Sequence, residues 1–333
     1  ILPTLMENLK MEGGVAGLTR PIGIISQGTA MPTWGKALEF HRQVWADGTD
    51  RIDQGNLLMC LSSLIVGPGE LIRDALKKLC YIGPIREIPK RNYMPEKSPD
   101  MSRWSSGLKG WDILYKAENT FIEKLNQWLT HKDRLNTGYS IEVKHFREID
   151  VEDPVSLLMS QGIGLEDLEM IQTRMGEIPI KSRVAIREEL TGIELTPQDI
   201  GVGISQVLPL IVAALYIREG ILAVEQPELH IHPALQVALG DLFISQIQES
   251  GVSYLLETHS EHLILRLLRR IRETSEDELP PGKYPLKPDQ LGVYYVEQGE
   301  KGVSLTRIRV DQDGEFIDRW PKGFFGERAE ELF

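Results

Sequence analysis

The chain has almost no cysteine. Its two cysteines, Cys60 and Cys80, each lie in an apolar stretch with helical spacing, which indicates free buried thiols in a reducing compartment. No apolar run approaches the roughly 18–20 residues that a membrane span needs, and the N-terminus lacks the segments of a signal peptide. We therefore expect a cytoplasmic protein with no membrane partner. Ile1 is not a methionine, so we also expect residues to precede it.

An excess of positive charge is lacking as well. Lysine and arginine number 37 against 49 aspartates and glutamates, which gives a net charge of −12. Such a balance excludes a surface that coats nucleic acid along its whole length. One basic cluster remains, in the predicted helix Leu263–Arg272, at Arg266, Arg269, Arg270 and Arg272. We interpret it as a solvated face or a dimer surface, and contact with nucleic acid stays an open alternative.

Internal repeats and low-complexity tracts are also absent, and the first two hundred residues show only partial periodicity. Residues 36–80 look helical with a break at Gly67-Pro68-Gly69, and the apolar positions Leu71, Ile72, Leu76, Leu79 and Cys80 are predicted to line the second helix. A loop over Lys90–Lys109 is predicted to precede a helix at Trp111–Leu129 and a strand at Tyr139–Val143. In the loop, Trp104 is a candidate partner contact. Residues 151–200 mix a short helix with strands.

From Ile204 onward helices and strands alternate in the sequence. The predicted segments are a helix Ser205–Tyr216, a strand Gly220–Glu225, a helix Pro233–Gln248, a strand Val252–Glu257 and a helix Ser260–Arg272. Short links between such elements predict parallel strands joined by crossover helices. A strand near Val293–Val296 is expected to continue the series and to open a hairpin over Tyr294–Val310, before a last helix near Gly326–Phe333. The fold class predicted is α/β, with a parallel sheet flanked by helices.

Acidic residues follow the first strand of this series. The segment reads Ile-Leu-Ala-Val-Glu-Gln-Pro-Glu-Leu-His-Ile-His-Pro from Ile221 to Pro233. Ligands of open α/β sheets bind at the carboxyl ends of strands, where Glu225 is expected to lie. A carboxylate there can hold Mg²⁺ against nucleotide phosphates. Ordinary surface acids that cap a strand are the alternative interpretation.

The next strand ends in Thr258-His259-Ser260, and a glycine-rich stretch precedes the first helix of the series. His259 is expected to lie beside Glu225, where it could bond a γ-phosphate or the attacking water, while Ser260 suits the N-cap of the following helix. In Gly201-Val202-Gly203-Ile204-Ser205-Gln206, bare backbone N–H groups at a helix N-terminus could meet an anion.

These three segments, in this order, resemble ABC-type ATPases of the SMC and OLD branch. More closely, the chain looks like the bacterial SMC-like AAA-ATPases of defence islands, whose Walker B segment reads Glu-Gln-Pro-Glu-Leu-His-x-His-Pro. The resemblance is specific over Gly201–Leu268 and weaker over Tyr81–Arg86 and Trp320–Phe325. It implies ATP and Mg²⁺ as cofactors and a homodimer or dimer-based assembly that encloses the nucleotide.

The resemblance also implies roles for single residues. Gly201, Gly203, Ser205 and Gln206 match the signature loop that contacts a partner's γ-phosphate, Glu225 matches the Mg²⁺ ligand, and His259 matches the switch histidine. Leu229–Pro233 matches the D-loop. Arg86, after a Gly-Pro turn, could reach phosphate, although a surface salt bridge is the favoured interpretation.

Two departures from the pattern affect the expected activity. Gln226 stands where ABC enzymes usually carry a catalytic glutamate, and an amide cannot accept a proton from water, so hydrolysis is slow or Glu228 serves instead. No Gly-x-x-x-x-Gly-Lys-Ser/Thr occurs in the sequence. We therefore expect the chain to be the C-terminal lobe of an ABC-type ATPase, following a lobe that holds the P-loop.

The predicted organisation has four parts. Loops and helices over residues 1–80 continue the P-loop lobe, residues 81–150 form a mainly helical insert, residues 151–275 form the ATPase core, and residues 276–333 form a hairpin and a terminal helix. The predicted function is an ATP-driven dimer that gates a separate effector, a nuclease or a toxin, in bacterial defence against phage or plasmids.

Two other functions stay open. One is a scaffold that binds ATP without hydrolysing it, which Gln226 favours. The other is a metal-dependent nuclease, because four of the seven histidines fall in one short window, at His230, His232, His259 and His262.

Overall fold

The computed structural model describes residues 36, 38, 51–91, 93–95, 100–161, 164, 167–299 and 302–319. The chain divides into two compact units, Ile1–Lys78 and Leu79–Phe333. The helix predicted near Gly326–Phe333 and the aromatic segment Trp320–Phe325 lie outside the described residues.

In the first unit, the described residues include the long helix α1 (Arg51–Leu76). The predicted break at Gly67-Pro68-Gly69 is wrong, because the helix runs through all three residues with Pro68 in its interior. A proline removes one backbone donor and usually kinks a helix, but the turns on either side remain helical here. The predicted stripe is wrong at its end, since Leu79 and Cys80 belong to the first strand of the second unit.

The second unit alternates helices and strands. Its helices are α2 (Leu108–Tyr115), α3 (Asn119–Thr130), α4 (Pro154–Gln161), α5 (Leu168–Glu177), α6 (Val202–Tyr216), α7 (Pro233–Glu249) and α8 (Glu261–Ser275). Its strands are β1 (Leu79–Ile82), β2 (Tyr139–Phe146), β3 (Lys181–Glu188), β4 (Glu194–Leu195), β5 (Glu219–Glu225), β6 (Gly251–Glu257), β7 (Val293–Gly299) and β8 (Gly302–Ile308). Short 3₁₀ helices at Met101–Trp104 and Pro288–Gln290 complete the regular structure of the described residues.

A three-stranded parallel sheet of order β1-β5-β6 organises this unit. Leu222 and Val224 of β5 are almost fully buried, whereas Ile221 on the opposite face is 38% exposed. Because alternate residues of a strand face opposite sides, one face of the sheet packs into the core and the other is open among the described residues. The predicted parallel sheet flanked by helices is confirmed.

The helix before β5 lies at the centre of the core. Every residue of α6 from Ser205 to Leu215 is buried. Gly110, inside α2, allows α2 to approach α6 closely, since a Cβ at this position would lie 2.9 Å from Cα of Pro209. The stretch Gly107–Gly110 thus serves helix packing, where a side chain would separate the two backbones.

The helical region before β2 differs from the prediction. The predicted helix Trp111–Leu129 is two helices, α2 and α3, separated at Lys116–Glu118. The predicted partner contact Trp104 is wrong, because its side chain is 2% exposed in the main core. Strand β2 forms and extends to Phe146, and it pairs with β3 in an antiparallel sheet of order β2-β3-β4.

The C-terminal hairpin is confirmed, but its place in the fold is not as predicted. Strand β7 pairs antiparallel with β8, from Val293 opposite Ile308 to Gly299 opposite Gly302. These two strands form a sheet of their own, so β7 does not continue the parallel series as expected.

An ionic cluster joins α7 to α8. Arg270 is 2% exposed and donates to Asp241 at 2.8 and 3.1 Å, and it also bonds Glu273. Lys283 adds a third contact to Asp241 at 3.0 Å. The expectation of a solvated arginine face is therefore wrong for Arg270. It holds for Arg269, whose side chain is 55% exposed while paired with Glu273.

The state of the cysteines and the lack of a membrane span are two expectations drawn from the sequence. Both cysteines are free thiols, with Cys80 buried and Cys60 partly buried. Burial raises the pKa of the Cys80 thiol to about 12. Within the described ranges, no helix combines the length and the apolarity that a membrane crossing requires.

Candidate functional site

The carboxyl ends of β5 and β6 bring two carboxylates together. Glu225 is the last residue of β5, and its partner in the parallel register is Glu257, the last residue of β6. Register partners on adjacent strands lie about 5 Å apart and point to the same face. Both side chains therefore lie on the open face of the sheet, at the edge where α/β proteins bind ligands.

The carboxylate of Glu225 is held by a hydrogen bond at this edge. It is half-buried, and the hydroxyl of Tyr81 on β1 donates to its carboxylate. That hydrogen bond, with some desolvation, raises the pKa of Tyr81 above its usual value. A hard oxygen ligand at an accessible strand end suits Mg²⁺, so the residue fits the role that the sequence predicts for it.

The chain turns sharply directly after Glu225. Gln226 has φ of +43°, and its backbone N–H donates to the carbonyl of Glu257 at 2.9 Å, which extends the pairing by one residue. The same N–H lies 3.3 Å from Oε2 of Glu257. The left-handed conformation ends the strand, and Glu228 of the following segment contacts the turn after β6.

Glu228 holds the start of the next loop. Its Oε1 accepts from the backbone N–H of His259 at 2.7 Å, and its Oε2 accepts from the hydroxyl of Thr258 at 2.8 Å. Short hydrogen bonds to a carboxylate are strong ones. Glu228 therefore ties the turn after β5 to the turn after β6, which is a positioning role.

His259 lies at the same edge as Glu225, as predicted. Its side chain is 69% exposed, and Nε2 is 3.3 Å from Oε1 of Glu257. The next residue, Ser260, accepts the backbone N–H of Leu263 at 3.0 Å. The predicted N-cap of α8 is thus confirmed, and it fixes the turn that carries the histidine.

The N-terminus of α6 lies close to the loop that follows β5. A Cβ on Gly203 would lie 2.5 Å from the carbonyl oxygen of His230, so the two backbones meet there and no side chain fits. Gly201 and Val202 are exposed, with nothing within 4 Å of a Cβ on Gly201. The first turn of α6 therefore offers backbone N–H groups to an anion at an accessible helix N-terminus.

The other two residues predicted for this loop lie inside the protein. Ser205 is fully buried, and its hydroxyl donates to the carbonyl of Gly201 at 3.1 Å. Gln206 is 7% exposed, and its amide pairs with the backbone of Arg86 through bonds of 3.0 and 2.5 Å. Their side chains face the fold, because positions 205 and 206 begin the buried stretch of α6.

Arg86 is the buried centre of the site. It is 1% exposed, and its guanidinium donates to the carbonyl oxygens of Gln206 at 3.3 Å, Glu225 at 2.9 Å and Gln226 at 3.2 Å. The favoured expectation of a surface salt bridge is wrong. Buried carbonyls need donors, and one guanidinium supplies several in a fixed fork.

The electrostatics of Arg86 follow from this burial. Desolvation lowers its pKa to about 10, and the negative charge of Glu228 opposes that shift. The guanidinium thus stays charged at neutral pH. It links the start of α6, which the sequence predicts to contact a partner's nucleotide, to the acidic end of β5, which is predicted to hold the metal.

The histidines do not gather into a metal site. His232 caps α7, where its Nδ1 accepts the backbone N–H of Ala234 at 3.2 Å, while His230 and His262 are exposed. Across the part of the chain that the structure describes, no group of three or more histidine, cysteine, aspartate or glutamate side chains could hold a metal ion. The described residues therefore provide no ligand set for the metal-dependent nuclease alternative.

Sequence reasoning missed Glu257, Tyr81 and Thr258 as parts of this edge. Glu257 ends the second predicted strand as Glu225 ends the first, so equal strand lengths were a usable signal. Tyr81 carried no such signal, because its strand lies about 140 residues upstream, and only the pairing of β1 with β5 brings it near.

Comparison with known proteins assigns the family. The sequence matches the family described as AAA ATPase domain over residues 97–264, which is just over half of the chain. The chain belongs to this AAA ATPase domain family. Residues 286–333 match a second family, described only as a protein of unknown function (DUF3696). No curated protein matches the chain.

Several solved structures show a distant likeness to this AAA ATPase domain protein, and one of them can be named. It is the crystal structure of the Smc head domain with a coiled coil and joint derived from Pyrococcus yayanosii, at 7% sequence identity and a TM-score of 0.34. The likeness covers 70% of this chain and 32% of that chain. The AAA ATPase match itself contains both strand ends and the start of α6, while Tyr81 and Arg86 lie before it.

Proposed function

We propose that this AAA ATPase domain protein is an ABC- or SMC-like subunit that dimerises around ATP and Mg²⁺ and hydrolyses the nucleotide. The observation that supports it best is the Arg86 linkage, in which one buried guanidinium joins the α6 segment to the carbonyls of Glu225 and Gln226. The domain organisation predicted from the sequence, with parts at residues 1–80, 81–150, 151–275 and 276–333, is included in this proposal.

Each residue of the edge has a proposed role. Glu225 holds Mg²⁺, directly or through water, with Tyr81 fixing its carboxylate. Bound there, the metal would neutralise charge on the nucleotide phosphates. His259 faces the same place from β6 and is exposed enough to reach a phosphate oxygen.

The start of α6 supports the dimer. Ser205 and Gln206 have buried side chains, so the contact to a partner's nucleotide falls to the backbone N–H groups of Gly201–Gly203 and to the helix dipole. Gly201 and Val202 are exposed at this end of the helix, and Gly203 is partly buried. The P-loop that completes the site is proposed to come from another part of the ATPase.

The biological role rests on the resemblance of the motifs. ATP binding closes the dimer and hydrolysis reopens it, which gates a separate effector, a nuclease or a toxin, in defence of a bacterial cytoplasm against phage or plasmids. Nucleic acid is a further candidate partner. An alternative is a scaffold that binds ATP without turning it over, and the amide of Gln226 favours it.

Mg²⁺-dependent ATP hydrolysis by the full-length protein tests the proposal. Glu225→Ala and His259→Ala are each expected to lower turnover by about 100-fold or more, since they remove the metal ligand and a phosphate contact. Glu219→Ala, at the opposite end of β5, is the matched control and should keep wild-type turnover.

ATP binding, followed by the shift of the thermal unfolding midpoint, separates the outcomes. Binding and ATP-dependent dimerisation without turnover would establish the scaffold. If the wild-type protein neither binds ATP nor hydrolyses it, the proposed function is wrong.

A further inference from the structure

The site contains no carboxylate at the position after the Mg²⁺ ligand. Gln226 occupies it, and an amide cannot take a proton from water. Three glutamates lie at the same edge, at Glu225, Glu228 and Glu257. Each of these carboxylates is chemically able to accept a proton from water, and the contacts of the three differ.

Glu225 and Glu228 are already engaged. Glu225 is the proposed metal ligand and accepts a hydrogen bond from Tyr81. Each oxygen of Glu228 accepts a short bond, at 2.7 Å from the His259 N–H and at 2.8 Å from the Thr258 hydroxyl. A proton placed on Glu228 would occupy one of these oxygens and weaken the link between the two strand ends.

Glu257 has a different environment. Its side chain is 52% exposed, Oε1 lies 3.3 Å from Nε2 of His259, and Oε2 lies 3.3 Å from the backbone N–H of Gln226. Both contacts are long, so the carboxylate can turn toward solvent without breaking a strong bond. The parallel register places it directly beside Glu225.

We propose that Glu257 is the general base of this ATPase and replaces the glutamate that Gln226 lacks. The proposal rests on the proposed function. The water oxygen bonds to the γ-phosphorus while the water's proton passes to Glu257. The bond from the γ-phosphorus to the bridging oxygen breaks, and that oxygen leaves with the electron pair as part of ADP. The proton on Glu257 then returns to solvent.

His259 is a positioning residue for this base. Its imidazole faces Oε1 of Glu257, and its backbone N–H is fixed by Glu228. The contact with His259 keeps Oε1 of Glu257 at the edge that Glu225 shares. Gln226, whose N–H faces Oε2, is close enough that a carboxylate at position 226 could take over the role of Glu257.

Single-turnover hydrolysis of ATP with Mg²⁺ by the full-length protein tests the assignment. Glu257→Gln is expected to lower the rate by about 100-fold or more, the usual contribution of a general base. The double variant Gln226→Glu/Glu257→Gln should recover much of that loss, because it restores a carboxylate to the neighbouring position. Glu219→Gln, at the far end of β5, should hydrolyse ATP at the wild-type rate.

A second readout does not depend on turnover. Glu257→Gln should bind ATP with wild-type affinity and stay in the ATP-bound dimer, seen by size-exclusion chromatography, while the wild-type dimer dissociates as ATP is consumed. A structural role for Glu257 would instead lower ATP affinity and the thermal unfolding midpoint, and Gln226→Glu would not rescue it.

Different experimental outcomes would contradict the role of Glu257 and the proposed ATPase function. Wild-type turnover in Glu257→Gln, with loss in Glu225→Ala, would overturn the role of Glu257 and leave the ATPase intact. Loss in Glu228→Gln with retained ATP binding, and no loss in Glu257→Gln, would assign the base to Glu228. A wild-type protein that binds ATP and never hydrolyses it would also overturn the role of Glu257.

Discussion

Replacing Arg86 by methionine should destabilise the second unit strongly. Methionine keeps much of the length and apolar stem of the side chain but has no donors. The change removes the guanidinium from the carbonyls of Gln206, Glu225 and Gln226, which lie 3.3, 2.9 and 3.2 Å from it. The backbone bonds between Arg86 and the Gln206 amide should remain.

The magnitude follows from the groups left unpaired. The Gln226 carbonyl also accepts the backbone N–H of Leu229 at 3.1 Å, and Gln206 lies inside α6, so the Glu225 carbonyl depends most on the guanidinium. An unpaired buried carbonyl costs about 1–3 kcal/mol and each further lost bond about 0.5–1.5 kcal/mol, which gives roughly 2–6 kcal/mol. Removing a buried cation offsets part of this, because its desolvation no longer opposes folding. We expect a net loss of about 1–3 kcal/mol in the free energy of unfolding. Arg86→Lys should lose a similar amount, since one ammonium does not reproduce the fork that reaches three carbonyls.

Urea unfolding followed by tryptophan fluorescence measures this effect, because Trp104 and Trp111 are buried in the same unit. The matched control is Arg91→Met, where a guanidinium that is 69% exposed pairs with Asp199 at 3.0 Å. Exposed ion pairs contribute less than about 1 kcal/mol. If Arg86→Met unfolds within about 0.5 kcal/mol of the wild-type protein, the guanidinium does not satisfy those carbonyls and the reasoning is wrong.

Two further predictions concern the same unit. Gly203→Ala should cost about 1–3 kcal/mol of unfolding free energy, because its Cβ would lie 2.5 Å from the His230 carbonyl, whereas Gly201→Ala meets nothing within 4 Å and should be neutral in the same urea titration. Burial raises the pKa of Asp241, but hydrogen bonds from Arg270 and Lys283 outweigh it and leave the pKa below its usual value. Its contribution is therefore present above about pH 4 and is lost as the pH falls through the lowered pKa. Asp241→Asn should flatten that acid limb of the stability profile, and an unchanged limb would contradict this account.

The sequence by itself determined the order of the elements and the ends of the central strands. Alternating apolar runs and short links predicted β5, α7, β6 and α8 to within a few residues, because periodicity reports burial directly. The acidic residue after a buried run also predicted where Glu225 would lie. Ser260 was identified as a cap from local chemistry alone.

The tertiary structure decided what each polar side chain does. The sequence predicts Arg86 as a surface residue beside a Gly-Pro turn. In the structure it is buried, and its guanidinium donates to three carbonyls of distant segments. Gly67-Pro68-Gly69 reads as a break, yet α1 continues through it, since local propensity is a weak prior that the surrounding helix overrides.

Sequence and tertiary structure also contribute differently to the roles of Glu225 and Glu257. Both end a strand, but only the register of β5 with β6 makes them neighbours, and only the contacts of Thr258 and His259 with Glu228 show which carboxylate is engaged. Strand pairing and hydrogen bonding join residues about 30 positions apart, and no local pattern encodes them. The sequence therefore located the edge, and the packing of the strands assigned the roles within it.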